Sequence, residues 1–210
     1  MDDYAQLHPG AFAARTPDRP AVIMANGGRV ISFSEYEALS NQCAHLLRQL
    51  GLVRGDRLAI FMENHPLYLP LTWGGMRAGL RVTAIATHLS AAEIDYILDD
   101  SAARALFTSA AKANIAGTLV AATVAPAARF MLDGSIAGFG DLDQALAAQP
   151  ITPIADQSEG VEMLYSSGTT GRPKGVKKVL PELPFGEPAN WHREMMALYG
   201  VDENAIYLSP

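Results

Sequence analysis

The sequence has little cysteine, no excess of positive charge and no long apolar run. Its single cysteine, Cys43, cannot form a disulfide within the chain, which fits the reducing cytoplasm where we expect this protein. The chain carries 16 Lys and Arg against 22 Asp and Glu, for a net charge of -6. This acidic balance argues against nucleic-acid binding, because phosphate backbones are bound by clusters of Lys and Arg.

The sequence also lacks a segment that could span a membrane. The least polar stretch, residues 115–128, is too short to cross a bilayer and contains Pro126. The N-terminus begins Met1-Asp2-Asp3-Tyr4, without the basic and apolar regions of a signal peptide. Peripheral association with a membrane surface stays open as an alternative location.

What the sequence does contain is a regular alternation of strand-like and helix-like segments. Residues 57–62, 81–86 and 104–108 are predicted strands, and the segments between them are predicted helices. Strands that alternate with helices of ten or more residues indicate an α/β fold, with a mostly parallel sheet covered by helices on both faces. Earlier in the chain, Asn26-Gly27-Gly28 separates two short apolar runs and predicts an N-terminal β-hairpin.

Capping signals mark the ends of the predicted helices. Ser34 followed by Glu37 predicts a capping box at the start of a helix over residues 34–50, with Gly51 as its stop. Ser90 followed by Glu93 predicts a second capping box, at the start of a helix that ends near residue 100.

The region between residues 109 and 160 has weaker patterns. Apolar runs at 119–124 and 129–132 are predicted strands, and residues 139–148 are a predicted short helix. The histidines have no metal-ligand spacing, so we expect each of them on a helix surface or in the core, and no metal site is predicted. They are His8, His45, His65, His88 and His192.

The most informative stretch is residues 165–176, which read Tyr-Ser-Ser-Gly-Thr-Thr-Gly-Arg-Pro-Lys-Gly-Val between two short β-like runs. Its glycines permit positive φ angles and close approach of backbone N–H groups to a ligand. Successive N–H groups in such turns bind phosphate oxygens, hydroxyl groups add donors, and Lys174 supplies a positive charge. The stretch therefore predicts an anion-binding loop.

The Walker loop, G-x-x-x-x-G-K-[ST], does not describe this stretch. Pro173 stands before Lys174 where that loop has glycine, and Gly175 follows where Ser or Thr is required. The sequence therefore indicates a phosphate loop of another kind.

Residues 166–175, Ser-Ser-Gly-Thr-Thr-Gly-Arg-Pro-Lys-Gly, resemble the signature loop of the adenylate-forming superfamily across its full length. This superfamily holds acyl-CoA synthetases, luciferases and the adenylation domains of peptide synthetases. Residues 31–36, 55–60, 73–79 and 89–94 are similar to blocks of the acyl-CoA synthetases, so the resemblance covers most of the chain. It implies part of the large N-terminal domain of such an enzyme.

The resemblance also implies a chemistry. A carboxylate attacks the α-phosphorus of Mg-ATP, pyrophosphate leaves, and the thiol of CoA then attacks the acyl adenylate and releases AMP. ATP, a carboxylic acid and CoA are the expected small-molecule partners, Mg²⁺ is expected to enter with ATP, and a homodimer stays open. The residues expected to bind the ATP phosphates are Ser166, Ser167, Gly168, Thr169, Thr170, Gly171, Lys174 and Gly175.

The resemblance leaves two things undecided. Its adenine-binding and ribose-binding motifs, its acidic Mg²⁺ ligand and its C-terminal domain with the adenylation lysine have no counterpart here, so we expect an N-terminal fragment without activity of its own. Residues 1–160 form the expected first subdomain, and residues 161–210 the phosphate loop and the start of the next. In residues 177–188 the chain also departs from the Thr-His pair that many relatives carry after the loop.

Two alternatives to the acyl-CoA synthetase interpretation stay open. One is another branch of the superfamily, such as a peptide-synthetase adenylation domain. The other is a non-catalytic domain that uses the scaffold for nucleotide binding or assembly, since a fold does not fix a function. The chain length of the acyl substrate is not encoded in a recognisable pattern.

Overall fold

The computed structural model describes residues 8–25, 28–166, 173–182, 185–186 and 190–208, and for residues 190–193 it describes the backbone alone. The helices are α1 (Pro9–Arg15), α2 (Phe33–Gln49), α3 (Tyr68–Arg77), α4 (Ala91–Ser101), α5 (Ala113–Ala116), α6 (Leu142–Ala147) and α7 (Asn190–Tyr199). The strands are β1 (Pro20–Ile23), β2 (Val30–Ser32), β3 (Arg57–Phe61), β4 (Arg81–Ala84), β5 (Ala105–Ser109), β6 (Arg129–Leu132), β7 (Gly140–Asp141), β8 (Val161–Glu162), β9 (Leu164–Ser166) and β10 (Lys174–Val176).

The central sheet has the strand order β7-β6-β5-β3-β4-β8, and each neighbouring pair is parallel. Helix α3 leads from β3 to β4, whereas α4 leads back past β3 to β5. Because parallel crossovers are right-handed, two crossovers in opposite directions place their helices on opposite faces of the sheet. The predicted α/β fold with helices on both faces is confirmed, as is the antiparallel N-terminal hairpin of β1 and β2.

Burial is deepest in the middle strands of the sheet. In β3 and β5, Leu58, Ile60, Leu106 and Phe107 are all 0% exposed. Strands buried on both faces have apolar residues at successive positions, which explains why these segments are nearly continuous apolar runs. The two strands form the fixed centre on which the other elements are placed.

Helix α2 packs across α3, and the contact is close because α3 carries glycine there. A Cβ atom on Gly74 would lie 2.4 Å from the Cβ of Cys43 and 2.8 Å from the carbonyl oxygen of Ser40. Cys43 is fully buried, and burial raises the pKa of its thiol. The thiol is therefore a packed apolar group of the helix pair.

The cap of helix α2 differs from the prediction. Ser32, rather than Ser34, is the N-cap residue, and its Oγ accepts a hydrogen bond from the backbone N–H of Glu35 at 3.2 Å. The predicted partner, Glu37, instead accepts a hydrogen bond from Arg77 on helix α3. The predicted stop is confirmed, since Gly51 has a φ of 76°.

Helix α4 begins as predicted. The backbone N–H and the hydroxyl of Ser90 both donate to Glu93, at 2.9 and 2.7 Å, and the side chain of Ser90 accepts from the backbone at the third helical position. These hydrogen bonds lower the pKa of the exposed Glu93 carboxyl. The helix ends at Ser101, and its C-cap residue Ala102 is in the left-handed conformation.

The predicted strand at residues 119–124 is wrong, because side chains satisfy its backbone groups instead of a neighbouring strand. The carboxylate of Asp95 accepts from the N–H groups of Val120 and Ala121, at 3.0 and 2.8 Å. The guanidinium of Arg129 donates to the carbonyl oxygens of Leu119, Ala121 and Val124. Hydrogen bonds of this kind let an apolar segment run as a loop beside helix α4.

None of the helices in the described ranges is long and apolar enough to cross a membrane.

Candidate functional site

The predicted phosphate loop is carried by an antiparallel pair of strands, β9 and β10, which we call the stem. In its register Ser166 faces Lys174, Gly175 faces Tyr165, and Val176 faces Leu164. Ser166 and Lys174, which stand before and after residues 167–173 of the loop motif, are therefore side by side. Residues Ser167, Gly168, Thr169, Thr170 and Gly171 of the predicted site lie outside the described residues.

The side chains of Met163 and Tyr165 lie close to the backbone of Gly175. A Cβ at this position would lie 2.7 Å from Cε of Met163 and 2.9 Å from Cζ of Tyr165. A Cβ there would force the ends of both side chains to shift, so glycine leaves room for the Tyr165 ring to cross the facing strand. Gly175 is not among the residues with positive φ, so its backbone conformation does not require glycine, and the close contact that it permits here is with the Tyr165 ring.

The stem is attached to the central sheet through β8. Val161 and Glu162 pair with β4, and the N–H of Met163 then donates to the carbonyl oxygen of Val82 at 2.9 Å. Only the short segment around Met163 separates β8 from β9. The stem therefore begins where the outermost parallel strand ends.

Helix α4 contacts the stem from the side. The Tyr165 hydroxyl donates to Oδ2 of Asp100, in the last turn of α4, at 2.6 Å. Burial raises the pKa of the Tyr165 phenol, and the hydrogen bond and negative charge of Asp100 raise it further. The phenol is therefore a protonated donor at all physiological pH values.

Positive charge is concentrated on the exposed side of β10 and after it. Lys174, Lys177 and Lys178 are all exposed, and Lys178 Nζ lies 3.7 Å from Oε2 of Glu162. Clustered exposed lysines attract anions, although an exposed pair such as Lys178–Glu162 contributes little to stability. Lys174 is the lysine that lies beside Ser166 at the mouth of the loop.

The segment after β10, where the expected Thr-His pair is missing, lies along the N-terminal half of the molecule. We call residues 177–182 and 185–186 the strap. Arg81 donates to the carbonyl oxygen of Lys178 at 2.5 Å, and Arg54 donates to that of Pro181 at 2.8 Å. Two arginine side chains thus hold the strap through its backbone.

The far end of the strap is held by an aromatic side chain. The Phe185 ring lies 5.2 Å from the Trp73 ring, and its centroid is 5.0 Å from the guanidinium carbon of Arg77. Arg77 is 1% exposed and donates to Glu37 at 2.5 Å. The next residue, Gly186, donates its N–H to Glu159 at 3.0 Å.

Sequence reasoning missed a set of polar pairs at the carboxyl edge of the sheet. Ser109, which ends β5, donates to Glu63 at 2.6 Å, and His65 Nε2 lies 2.9 Å from Oδ2 of Asp133. His65 lies in the loop after β3 and its side chain is 9% exposed, so of the two positions expected for the histidines it has the core one. In the sequence these pairs are indicated only by their positions at or just after the ends of predicted strands, because the carboxyl ends of parallel strands meet at one edge of the sheet.

Metal ligation has no candidate in the part of the chain that the structure describes. Among those residues no group of three or more His, Cys, Asp or Glu lies close enough to hold a metal ion.

Comparisons with known proteins agree with this geometry. The sequence model of the family described as AMP-binding enzyme matches residues 11–178. The chain is 31% identical over 163 residues to 3-hydroxybenzoate--CoA ligase of Aromatoleum sp. (strain CIB), covering 76% of this chain and 31% of that protein. It is 35% identical over 186 residues to long-chain fatty acid transport protein 1 of Mus musculus, covering 79% of this chain and 27% of that protein.

A solved structure has the same fold. The N-terminal domain of FACL13 from Mycobacterium tuberculosis, with an inhibitor bound, superimposes with a TM-score of 0.68 at 26% identity, covering 84% of this chain and 44% of that one. The chain spans 31% and 27% of the length of the two curated relatives named above.

Proposed function

The chain belongs to the family of AMP-binding enzymes, and from that premise we propose that it is the N-terminal part of an ATP-dependent fatty acyl-CoA synthetase. In the proposed reaction a carboxylate oxygen attacks the α-phosphorus of ATP, which breaks the bond to pyrophosphate and forms an acyl adenylate. The CoA thiol then attacks the acyl carbon, loses its proton, and AMP leaves. Residues 8–208 would supply the pyrophosphate side of this site.

The observation that carries the proposal is the stem, which puts Ser166 opposite Lys174 at the two ends of the signature loop. The Lys174 ammonium is proposed to bind the β- and γ-phosphate oxygens and to stabilise the negative charge that accumulates on departing pyrophosphate. The Ser166 hydroxyl and the loop residues Ser167, Thr169 and Thr170 are proposed to add hydrogen bonds to the same oxygens. Gly168, Gly171 and Gly175 are proposed to let the backbone come close to them.

Mg²⁺ would enter with ATP and neutralise part of the phosphate charge. The described residues offer no group of acidic side chains for it, so we derive no step of this chain through the metal.

Pyrophosphate binding tests the proposed role of Lys174. The ¹⁵N-labelled chain is titrated with sodium pyrophosphate, and amide shifts of residues 164–166 and 174–176 give the dissociation constant. We expect weak binding to the chain and a loss of about tenfold or more in Lys174→Ala, because a hydrogen bond to a charged group is removed.

Lys177→Ala is the matched control, since it removes the same charge three residues further on from another exposed lysine. We expect a smaller loss in this variant. Equal binding by Lys174→Ala and the wild type contradicts the proposed site. An equal loss in both variants would mean that pyrophosphate is attracted by general positive charge and that Lys174 has no specific role.

The full reaction needs a separate test, because the two curated relatives are named for different substrates. One is named for 3-hydroxybenzoate and the other for long-chain fatty acids, so an aromatic acid is a second candidate substrate class. The DNA downstream of the Pro210 codon is read first. A continuing frame with an acidic Mg²⁺ motif and a late lysine supports the synthetase, and the encoded protein is then assayed for ATP–pyrophosphate exchange with palmitate and with 3-hydroxybenzoate.

A stop codon at that point would instead favour the non-catalytic alternative, a domain for nucleotide binding or assembly. Exchange driven by an amino acid in place of either carboxylic acid would favour the peptide-synthetase branch.

A further inference from the structure

We propose that Tyr165 and Asp100 form a positioning pair, which fixes the stem against helix α4 and thereby holds Ser166 and Lys174 where the phosphates bind. This inference rests on the proposed function of the loop. It assigns a role to two residues that do not belong to the loop itself.

The position of Tyr165 in the stem is the first argument. Tyr165 immediately precedes Ser166, and its facing residue, Gly175, immediately follows Lys174. Its ring occupies the space that a Cβ on Gly175 would need. One aromatic side chain therefore spans both strands at the base of the loop, and a rotation of that ring would move both loop ends.

The rigidity of α4 is the second argument. Ile94, Ile97 and Leu98 of this helix are at most 2% exposed, and a capping box closes its first turn. Its last turn is closed by the N–H of Ala103, which donates to the carbonyl oxygen of Leu98 at 2.9 Å. Asp100 is therefore a fixed point that is tied to the core of the sheet.

The chemistry of the contact is the third argument. The phenol donates to a carboxylate oxygen at 2.6 Å, and hydrogen bonds with a carboxylate are shorter and stronger than those between neutral groups. The stem itself has few other fixed contacts, because Leu164, Ser166, Lys174 and Val176 are exposed. The short bond to Asp100, next to which Ser101 is a second hydrogen-bond partner of the Tyr165 side chain, therefore has a large share in setting the angle of the stem.

The test compares Tyr165→Phe with the wild type in the chain as it stands. Phenylalanine keeps the ring over Gly175 and removes only the hydroxyl. Two quantities are measured by amide NMR: the pyrophosphate dissociation constant, and hydrogen exchange at residues 164–166 and 174–176. We expect binding to weaken about fivefold and exchange to accelerate in the stem, while β3 and β5 keep their protection.

Two further variants sharpen the test. Asp100→Asn keeps an acceptor oxygen but removes the charge, so we expect a smaller loss of binding than in Tyr165→Phe. Tyr199→Phe removes the hydroxyl of a tyrosine that is 71% exposed on α7, and we expect no change in binding or in exchange.

The outcomes separate the two proposals. Unchanged binding and exchange in Tyr165→Phe overturn the positioning pair and leave the loop's function intact. Faster exchange throughout the sheet overturns it as well, because the contact would then serve general stability. If the wild type does not bind pyrophosphate, the proposed function fails, and faster exchange confined to the stem still supports the anchoring of β9 and β10 by Asp100.

Discussion

The parallel sheet and the stem with its strap are held in different ways. Strands β3 and β5 have buried side chains on both faces and a continuous ladder of parallel hydrogen bonds. Strands β9 and β10 have alternating exposed positions, and the strap is held through separate contacts at Lys178, Pro181, Phe185 and Gly186. The sheet is therefore stabilised by buried area, whereas the stem and strap, which carry the proposed phosphate site, depend on a few identifiable contacts.

This difference suits the proposed function. A loop that closes on phosphates must change its position without disturbing the fold, and local opening has a low free energy where few apolar groups are buried. Because few apolar groups are buried in the stem and strap, one substitution at any of their contacts should be enough to displace the loop. Three predictions test this division, in decreasing order of expected effect on stability.

The largest effect is expected for Phe107→Ala in β5. Phe107 is 0% exposed and its ring meets Phe130 edge to face, with centroids 6.1 Å apart. Removing it should lower the free energy of unfolding by about 3 to 5 kcal/mol, through lost apolar burial and a cavity. Urea denaturation followed by circular dichroism measures the change.

Val176→Ala on the stem is the control, because its side chain is 53% exposed and its truncation should cost at most about 0.5 kcal/mol. Similar losses in both variants would contradict the difference between the sheet and the stem.

An intermediate effect is expected for Phe185→Ala at the end of the strap. The ring is partly buried between Trp73 and Arg77, so its removal should cost about 1 to 2 kcal/mol. Hydrogen exchange should accelerate in residues 177–182 before it changes in β3. Phe185→Leu is the control, because it keeps apolar volume but loses the ring above the guanidinium. If the alanine variant leaves exchange in the strap unchanged, Phe185 is not its anchor.

The smallest effect is a pH dependence with two opposite contributions beside the strap. Burial lowers the pKa of His8 below 6.5, so the unfolded chain binds more protons and stability should fall as pH drops below about 6.5. Burial raises the pKa of Glu159 above 4.5, so the folded chain binds more protons and this group should add stability as pH falls through its raised pKa.

Two variants separate these contributions, with the free energy of unfolding measured by urea denaturation between pH 4 and 8. His8→Gln should flatten the fall below about pH 6.5, and Glu159→Gln should remove the gain at lower pH. A profile for His8→Gln that matches the wild type would show that His8 is solvated in the native protein.

Local patterns were sufficient where one segment of chain determines its own structure. The Ser90–Glu93 capping box and the Gly51 stop are short-range hydrogen-bond and φ requirements, and both are confirmed. Alternating strand and helix periods also predict a parallel sheet, because parallel strands need helical crossovers. The motif at 166–175 predicts a phosphate site, of which Ser166, Lys174 and Gly175 fall within the described residues.

Local patterns failed where two neighbouring residues were equally suited to cap a helix. Ser32 and Ser34 are both good capping residues, and the side-chain partner of Ser34 was predicted to be Glu37. Glu37 is used elsewhere, because helix α3 presents Arg77 to it in the interior. A buried guanidinium without a carboxylate would be far more costly than a different cap.

The sequence by itself determined the class of fold, the main helices with their stops, and the loop whose residues imply phosphate chemistry. Only the tertiary structure decided the strand order, the loop conformation of residues 119–124 and the contacts of Tyr165 and Phe185. The physical reason is range: periodicity and capping act within a few residues, whereas Tyr165 and Asp100 are 65 residues apart in the chain. Packing of the completed sheet and its helices is what brings such residues together.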